Sequence, residues 1–251
     1  EELGKYKPVV YFVDHFANYH DPELGRAFLA ILEYNGVRVH VPEDQTVSGM
    51  AMISAGDLDA ARKVAEQNVR ELSELAREGV PIVCTEPAAA LCLKHEYPRL
   101  LDHPDVQVVA DQVVEATGFL AGLLAKEQLR TDFGPLKLTA SYHMPCHLKA
   151  LHHTSPALKL LERIPKLEVF AVEKGCSGMA GAFGYDVKTI EISKAMAEAT
   201  LLPAIREARA EDLIVADGTS CRHQILDGSP RRAVHVASVL AFSLGLRLIP
   251  G

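Results

Sequence analysis

The tetrapeptide Ser-Gly-Met-Ala occurs twice in this chain, at residues 48–51 and at residues 177–180. The two copies differ in the residue before them, which is Val47 in the first copy and Cys176 in the second. A repeat that carries a thiol in one copy and an apolar side chain in the other indicates an internally duplicated chain. We expect one half to carry chemistry and the other half to serve as structure.

Other landmarks of the sequence recur at nearly the same spacing. Helix-capping residues, the tetrapeptide and a strand residue form the pairs Asp21/Ser155, Ser48/Ser177, Asp57/Asp186 and Val83/Val215, with offsets of 134, 129, 129 and 132 residues. A shift this constant predicts two tandem halves, residues 1–134 and residues 135–251. The turn-rich stretch at residues 131–135 marks the boundary between them.

Each half has the pattern of a βαβ unit. Short apolar and β-branched runs predict strands near residues 9–13, 37–41, 80–84, 136–142, 167–172 and 213–216. Amphipathic segments predict helices between them, including one over residues 109–129 and one over residues 234–244. The predicted fold class is α/β, with two pseudo-symmetric halves of parallel strands covered by helices. Ligands of such folds lie at the carboxyl ends of the strands.

Composition and charge limit the classes of function. With 251 residues, of which 48% are hydrophobic and 24% charged, the chain is expected to form a soluble globular protein. Its net charge of −7 disfavours nucleic acid and anionic membranes as main partners. No apolar run approaches the roughly 18–20 residues that a bilayer span needs, so membrane insertion is not expected. Residues 1–5 do not have the pattern of a signal peptide.

The five cysteines of the chain are Cys84, Cys92, Cys146, Cys176 and Cys221. An odd number of cysteines without a signal peptide argues against a disulfide framework and favours a reducing, cytoplasmic compartment. Cys84 ends an apolar run and Cys92 falls on a predicted helix. Both are therefore expected to pack in the core.

The remaining three cysteines each follow a predicted strand of the second half. Because loops at the carboxyl ends of parallel strands leave the same edge of a sheet, Cys146, Cys176 and Cys221 are predicted to converge. Soft thiolates select zinc, copper(I) or iron–sulfur centres. We therefore favour metal or cluster ligation by these three residues over simple packing, with Ser177 and Gly178 as neighbours of the site.

Histidines beside these cysteines are candidate donors. His143, His147 and His223 are candidates for a fourth ligand or for hydrogen-bond donors to a bound centre. A competing hypothesis makes Cys146 or Cys176 an activated nucleophile at a helix N-terminus. The sequence has no P-loop, no G-x-G-x-x-G and no evident pair of acid/base carboxylates, so apart from this hypothesis it leaves the catalytic residues unknown.

Three motifs of the second half resemble those of a known family. They are His-Met-Pro-Cys-His at residues 143–147, Gly-Cys-Ser-Gly-Met-Ala-Gly-Ala-Phe-Gly at 175–184, and Gly-Thr-Ser-Cys-Arg-His-Gln at 218–224. Further matches lie in the first half at residues 14–16, 41–49 and 86–87. Nearly the whole chain resembles two tandem repeats of the cysteine-rich CCG-domain family.

That family includes one subunit each of heterodisulfide reductase and of anaerobic glycerol-3-phosphate dehydrogenase, together with the iron–sulfur subunit of glycolate oxidase. The resemblance is strongest to the C-terminal part of fused FAD-linked oxidases. Each repeat of the family has a lone cysteine, a Cys-Cys-Gly and a final C-x-x-C or its remnant. These cysteines bind a [4Fe–4S] centre or, in some first repeats, zinc.

The resemblance implies that Cys146, Cys176 and Cys221 bind an iron–sulfur centre, or zinc as the alternative. Histidine, water or substrate would complete this three-cysteine set. Ser177 stands where the second cysteine of Cys-Cys-Gly would be, and Gly218 stands where the C-x-x-C would begin.

In the first half, the resemblance assigns other residue types to the ligand positions. Asp14 stands in place of the lone cysteine, Val47 and Ser48 replace the cysteine pair, and Ala89 replaces the last cysteine. This half is therefore expected to have lost its ligands and to bind no metal.

The family resemblance also implies a function and partners. We expect a redox module that takes electrons from a flavin-dependent dehydrogenase of a 2-hydroxy acid or of glycerol 3-phosphate, and passes them to a quinone or another carrier. The chain has no flavin-binding segment and no C-x₂-C-x₂-C-x₃-C-P run. FAD and a ferredoxin-like iron–sulfur segment are thus expected on a partner subunit or domain. The chain would then be part of an oxidoreductase, cytoplasmic or held at the inner face of the membrane through partners.

Two alternatives remain open at the level of sequence. In one, the protein is a scaffold that docks a dehydrogenase after losing its cluster. In the other, it is a zinc or thiol enzyme that uses the same three cysteines on a small substrate.

Overall fold

The computed structural model describes residues 8–172 and 175–247. Residues 1–5, which do not have the pattern of a signal peptide, lie outside the described residues. The chain divides into two compact units between Leu129 and Arg130, five residues before the boundary that the sequence suggests.

The first unit contains four parallel strands with helices between them. Its elements are β1 (Val9–Phe12), α1 (His15–Tyr19), α2 (Pro22–Tyr34), β2 (Val39–His40), α3 (Met50–Ser54), α4 (Leu58–Arg77), β3 (Ile82–Cys84), α5 (Pro87–Leu91), a π-helical turn (Cys92–Glu96), α6 (Tyr97–Leu100), α7 (Val106–Gln112), β4 (Val113–Glu115) and α8 (Ala116–Ala125). The strand order in the sheet is β2-β1-β3-β4.

The second unit repeats this arrangement. Its elements are β5 (Leu138–His143), α9 (Cys146–Leu151), α10 (Pro156–Leu161), β6 (Leu167–Ala171), a 3-10 turn (Gly181–Tyr185), α11 (Ile190–Glu198), α12 (Leu201–Glu207), β7 (Leu213–Ala216), α13 (Thr219–Gly228), β8 (Ala233–Val234) and α14 (Val236–Ser243). Its strand order, β6-β5-β7-β8, matches that of the first sheet, and all its pairs are parallel. The predicted α/β fold with two pseudo-symmetric halves is confirmed.

The predicted helix starts have the local chemistry that the sequence indicates. The Asp21 side chain accepts a hydrogen bond from the Leu24 amide, and the Ser155 side chain accepts one from the Leu158 amide. In both helices a proline occupies the first turn, where its missing N–H has no cost. Asp57 caps α4 in the same way. These caps satisfy amides that would otherwise be unpaired at each helix start.

Each sheet has a fourth strand that the sequence does not predict. The helix expected over residues 109–129 is interrupted by β4, and the helix expected over residues 234–244 begins only after β8. Glu115 ends β4 and its carboxylate caps α8, while the His235 imidazole caps α14. Strands of two or three residues that are followed at once by a capped helix leave little alternation in the sequence to reveal them.

Among the described residues, none of the helices combines the length and the apolar character that crossing a bilayer requires.

Candidate functional site

The three candidate cysteines lie at one edge of the second sheet. Cys146 is the first residue of α9, directly after β5, and Cys221 lies in the first turn of α13, directly after β7. Cys176 lies in the loop between β6 and the 3-10 turn. Because β6, β5 and β7 are adjacent and parallel, these three segments all leave the carboxyl edge of the sheet.

The thiols of Cys146 and Cys176 are hydrogen-bonded to each other. Donation from Cys146 is the largest cause that lowers the pKa of Cys176 to about 5. The Gly178 amide, which donates to the Cys176 sulfur at 3.3 Å, and the nearby Lys149 and His147 side chains lower it further. The pKa of Cys146 is raised well above its ordinary value by the same hydrogen bond and by burial. The two opposite shifts favour ionisation of Cys176 over ionisation of Cys146.

Cys221 is the most buried of the three thiols. It packs in the apolar core with Ile214, Ala216 and Ile225. Its electrostatic effect also raises the pKa of Cys146. Its sulfur lies 3.4 Å from the hydroxyl of the buried Ser177, with the thiol as donor. Ser177 thereby links the Cys176 loop to the start of α13.

The Cys176 loop depends on a glycine that no other residue can replace without strain. Gly178 has φ +78°, a conformation that L side chains rarely adopt. A Cβ atom at this position would lie 2.2 Å from the carbonyl oxygen of Ser193 in α11. The loop therefore packs directly on the helix backbone two residues after Cys176.

The three histidines proposed from the sequence have different surroundings. The Nδ1 atom of His147 lies 3.8 Å from the Cys146 sulfur, and burial lowers the pKa of His147. The imidazole of His223 is instead hydrogen-bonded to the Tyr185 hydroxyl. His143 is fully buried, which lowers its pKa to about 4, so its ring is neutral.

Lys149 is a residue of the site that the sequence does not single out. It lies on α9, three residues after Cys146, so the two share one face of the helix. Its ammonium lowers the pKa of Cys176 and, to a smaller extent than burial, that of His143. The spacing from a candidate ligand on a helix is the signal that would have identified it.

The donor set suits a thiophilic centre in its chemistry. Three cysteine side chains, one of them with a lowered pKa, and a neutral imidazole are ligand types that zinc and iron–sulfur centres take. Across residues 8–172 and 175–247, no three His, Cys, Asp or Glu side chains are grouped so as to hold a metal ion.

The two units correspond residue by residue through their central strands. Tyr11 pairs with Val83 and bonds Thr85, two residues further on, at 3.0 Å. In the second unit Tyr142 pairs with Val215 in the same way and donates to Asp217 at 2.7 Å. The two buried tyrosines are therefore equivalent, and the residues that follow them can be paired in order.

This register identifies the first-unit counterparts of the three thiols. His15 begins α1 as Cys146 begins α9, so His15, and not Asp14, is the residue equivalent to Cys146. Asp14 is the cap of α1, and its carboxylate accepts from the amides of Phe16 and Ala17. Burial, and to a smaller extent Glu86, raises the pKa of Asp14 to about 6.

The remaining counterparts carry no thiol either. Ala89 takes the place of Cys221, while Val47 and Ser48 take the places of Cys176 and Ser177. The Ser48 carbonyl accepts hydrogen bonds from the Cys92 thiol and from the Tyr97 hydroxyl. The corresponding loop of the first unit is therefore held by protein contacts.

The other two cysteines are buried. Cys84 is fully buried at the end of β3, and Cys92 is fully buried in the π-helical turn. Burial raises the pKa of Cys84 well above its ordinary value and that of Cys92 to about 12. The expectation that both residues pack in the core is confirmed.

Comparison with known proteins finds a family match in both halves of the chain. The sequence profile of the CCG cysteine-rich domain matches twice, over residues 9–92 and residues 140–226. One subunit of the anaerobic glycerol-3-phosphate dehydrogenase of Escherichia coli (strain K12) is 32% identical over 245 residues, which is 97% of this chain and 61% of that subunit. The chain therefore spans less than two thirds of that relative.

Lactate utilization protein A of Halalkalibacterium halodurans is 29% identical over 242 residues, 91% of this chain and 94% of that protein. The protein of the same name from Geobacillus kaustophilus is 29% identical over 231 residues, 87% of this chain and 92% of that protein. A solved glutamate racemase from Francisella tularensis, in complex with D-glutamate, has 15% identity and a TM-score of 0.34 over 98% of this chain and 84% of that one. This likeness is too low to support an argument.

Proposed function

The chain belongs to the cysteine-rich CCG-domain family, and from that membership we propose that its second half binds an iron–sulfur centre through Cys146, Cys176 and Cys221. The centre would transfer electrons within a dehydrogenase complex. The observation that carries the proposal is the hydrogen-bonded Cys146–Cys176 pair at the sheet edge where Cys221 also lies. A thiolate at neutral pH is the form that binds metal.

An iron–sulfur centre supplies one-electron transfer when it is bound. The protein groups around the thiols are suited to holding such a centre. The Cys176 sulfur accepts from the Gly178 amide and lies within reach of the Lys149 charge, and Ser177 lies beside Cys221. Hydrogen bonds and positive charge near thiolates stabilise negative charge on sulfur, and they are a principal control of reduction potential. We propose [4Fe–4S] as the type of centre.

The paired positions of the two halves suggest which half binds the centre. We propose that residues 1–134 are a repeat without ligands and that residues 135–251 carry the centre. His15, Val47 and Ala89 occupy the places of the three thiols, and the loop at Ser48 is closed by protein hydrogen bonds. Three substitutions at corresponding positions support the loss of a whole site rather than of one ligand.

The relatives indicate the kind of complex. One is named as a subunit of a glycerol-3-phosphate dehydrogenase, and others are named as lactate utilization proteins. We propose a flavin-containing partner that oxidises glycerol 3-phosphate or a 2-hydroxy acid, with FAD and a ferredoxin-like segment outside this sequence. Electrons would leave for a quinone or another carrier. A cytoplasmic location, or one at the inner face of the membrane through the partner, suits this role.

The test is metal analysis of protein purified and reconstituted without oxygen. We expect iron and acid-labile sulfide in the wild-type chain, with a visible absorption band, and loss of most of the iron in Cys176→Ala. Cys92→Ala is the matched control, because it removes a buried thiol of the first unit and should leave the iron content unchanged. Iron that persists in Cys176→Ala, or a wild-type chain that takes up no metal, would overturn the proposal. The second of these results would favour the scaffold function.

A second candidate function rests on the ionised thiol. The low pKa of Cys176 also suits a nucleophile, or a ligand of a catalytic zinc with an open coordination position. The same analysis separates the two functions, because stoichiometric zinc without sulfide would support this candidate.

A further inference from the structure

His143 is a buried imidazole without a hydrogen-bond partner. The residue is 1% exposed, and neither Nδ1 nor Nε2 has a donor or an acceptor within the described part of the chain. Burying an unpaired polar group is unfavourable, and buried polar groups are ordinarily hydrogen-bonded. A neutral imidazole always carries one N–H donor. This N–H therefore requires an acceptor that the described protein groups do not provide.

The strand register places His143 at the edge where the thiols converge. It is the last residue of β5 and pairs with Ala216, the last residue of β7. Cys146 begins α9 only three residues after His143, and Cys221 lies in the helix that begins shortly after Ala216. His143 thus lies at the ends of the two paired strands that precede two of the three cysteines.

Neighbouring residues indicate which side of the sheet the imidazole faces and which charge acts on it. The preceding residue, Tyr142, donates to Asp217, and because side chains alternate along a strand the imidazole faces the other side of the sheet. The Lys149 ammonium acts on both His143 and Cys176. His143 and the thiolate therefore both lie within the electrostatic range of one charge.

The first unit supplies an internal comparison. The register that makes Tyr11 equivalent to Tyr142 makes Phe12 equivalent to His143. Phe12 is fully buried at the end of β1. The fold therefore accepts an apolar ring at this position, and the unpaired imidazole is not a requirement of packing. The imidazole occurs in the unit that has the thiols, and the phenyl ring in the unit that has lost them.

We propose that His143 donates an N–H hydrogen bond to the sulfur-rich centre held by Cys146, Cys176 and Cys221. This inference rests on the proposed function. His143 is then a positioning residue, whose N–H would have an anionic sulfur acceptor in the protein that holds the centre. The unpaired N–H then lowers the stability of the metal-free protein, and binding of the centre removes this penalty.

His143→Phe, which copies the first unit, is the main test in the full chain. Without metal, the variant should unfold at a higher temperature than the wild type, since an unpaired polar group is gone. After reconstitution with ferrous iron and sulfide, it should lose iron to a chelator about 10-fold faster or more, as expected when a group that supports a ligand set is removed. Its reduction potential should shift to a more negative value. A merely structural histidine would lower stability in both states.

His143→Gln is the conservative variant, because its side-chain amide keeps an N–H donor. It should restore part of the iron retention and part of the potential. If His143→Phe matches the wild type in both properties, or if His143→Gln behaves as His143→Phe does, the donor role is overturned. A wild-type chain that binds no iron would instead overturn the proposed function before any variant is compared.

Discussion

At the scale of the residue, the hydrogen bond between Cys146 and Cys176 decides which sulfur is ionised. The Gly178 amide, Lys149 and His147 all lower the pKa of Cys176, which favours the negative charge on that sulfur. Cys146 keeps its proton because it is the donor. If the pair binds metal as proposed, Cys176 is the ligand favoured in its deprotonated form and Cys146 must release a proton. Metal uptake at this site should then be coupled to proton release.

The reactivity of Cys176 in metal-free protein tests this assignment. Because the thiolate is the nucleophile and the pKa of Cys176 is about 5, its alkylation by iodoacetamide should be nearly independent of pH between about pH 6.5 and pH 9. In Cys146→Ala the main cause of the low pKa is gone, so the midpoint should rise towards the ordinary thiol value. Mass spectrometry of the modified peptide measures both rates.

The buried Cys92 serves as the unreactive control in the same samples. A wild-type midpoint near that of a free thiol would contradict the ionised state assigned to Cys176. An unchanged midpoint in Cys146→Ala would show that the other neighbours, and not the hydrogen bond, set its pKa.

At the scale of the element, the loop that presents Cys176 is shaped by its packing on α11. Gly178 and Gly49 occupy equivalent places in the two units, and both have a positive φ. Of these two glycines, Gly178 is the one whose Cβ position would overlap a helix backbone. At Gly49 the nearest atom to a Cβ would be Cγ1 of Val64, at 3.6 Å. The loop of the site is thus more tightly constrained than its counterpart.

Alanine at the two glycines should separate backbone strain from steric overlap. Gly49→Ala should cost about 1–2 kcal/mol of unfolding free energy, because an L residue must adopt the left-handed conformation. Gly178→Ala should cost roughly 1–3 kcal/mol more, because its Cβ would overlap the Ser193 carbonyl oxygen. Denaturant unfolding of the metal-free variants measures both values. Equal costs would mean that the loop moves away from α11 without penalty.

Elements with strong local signals were predicted from the sequence, and those without them were not. Helix starts at Asp21 and Ser155 followed from side chains that act within one turn. The short strands β4 and β8 were missed, because two or three residues beside a capped helix are defined by their pairing with β3 and β7. Pairing depends on partners distant in sequence, which local periodicity does not report.

The candidate site divides in the same way. The convergence of Cys146, Cys176 and Cys221 at one edge was predicted because parallel strand order fixes where the loops emerge. The unpaired burial of His143 was not predicted, because it depends on strand register and on which face of the sheet a side chain meets. Likewise, the motifs place the counterpart of Cys146 at Asp14, whereas the strand register places it at His15.

At the scale of the whole molecule, the two sheets have the same strand order, but the loops at corresponding strand ends carry different side chains. The first unit closes its loop with hydrogen bonds from Cys92 and Tyr97 to the Ser48 carbonyl. The second unit places thiols and a buried imidazole there. Because each unit has its own core, one copy of a duplicated fold can remain a stable scaffold while the other retains thiols and a buried imidazole that lower its stability.

Binding of the centre should therefore stabilise one unit far more than the other. A ligand that binds only the folded form slows the local opening of the segments it contacts. In hydrogen-exchange mass spectrometry, reconstitution with iron and sulfide should slow exchange at residues 144–151, 175–185 and 218–224, the segments that carry the three cysteines. Removal of the metal with a chelator should restore the faster exchange.

The corresponding segments of the first unit, residues 13–20, 46–54 and 86–92, are the internal control and should exchange at the same rate in both states. Cys176→Ala should abolish the difference in the second unit, because the protection depends on the thiols. Protection that appears equally in the first unit would mean that its loops also hold metal, despite His15, Val47 and Ala89 at the ligand positions. Protection in neither unit would place the metal outside the sheet edges, and the assignment of the three cysteines as its ligands would then be wrong.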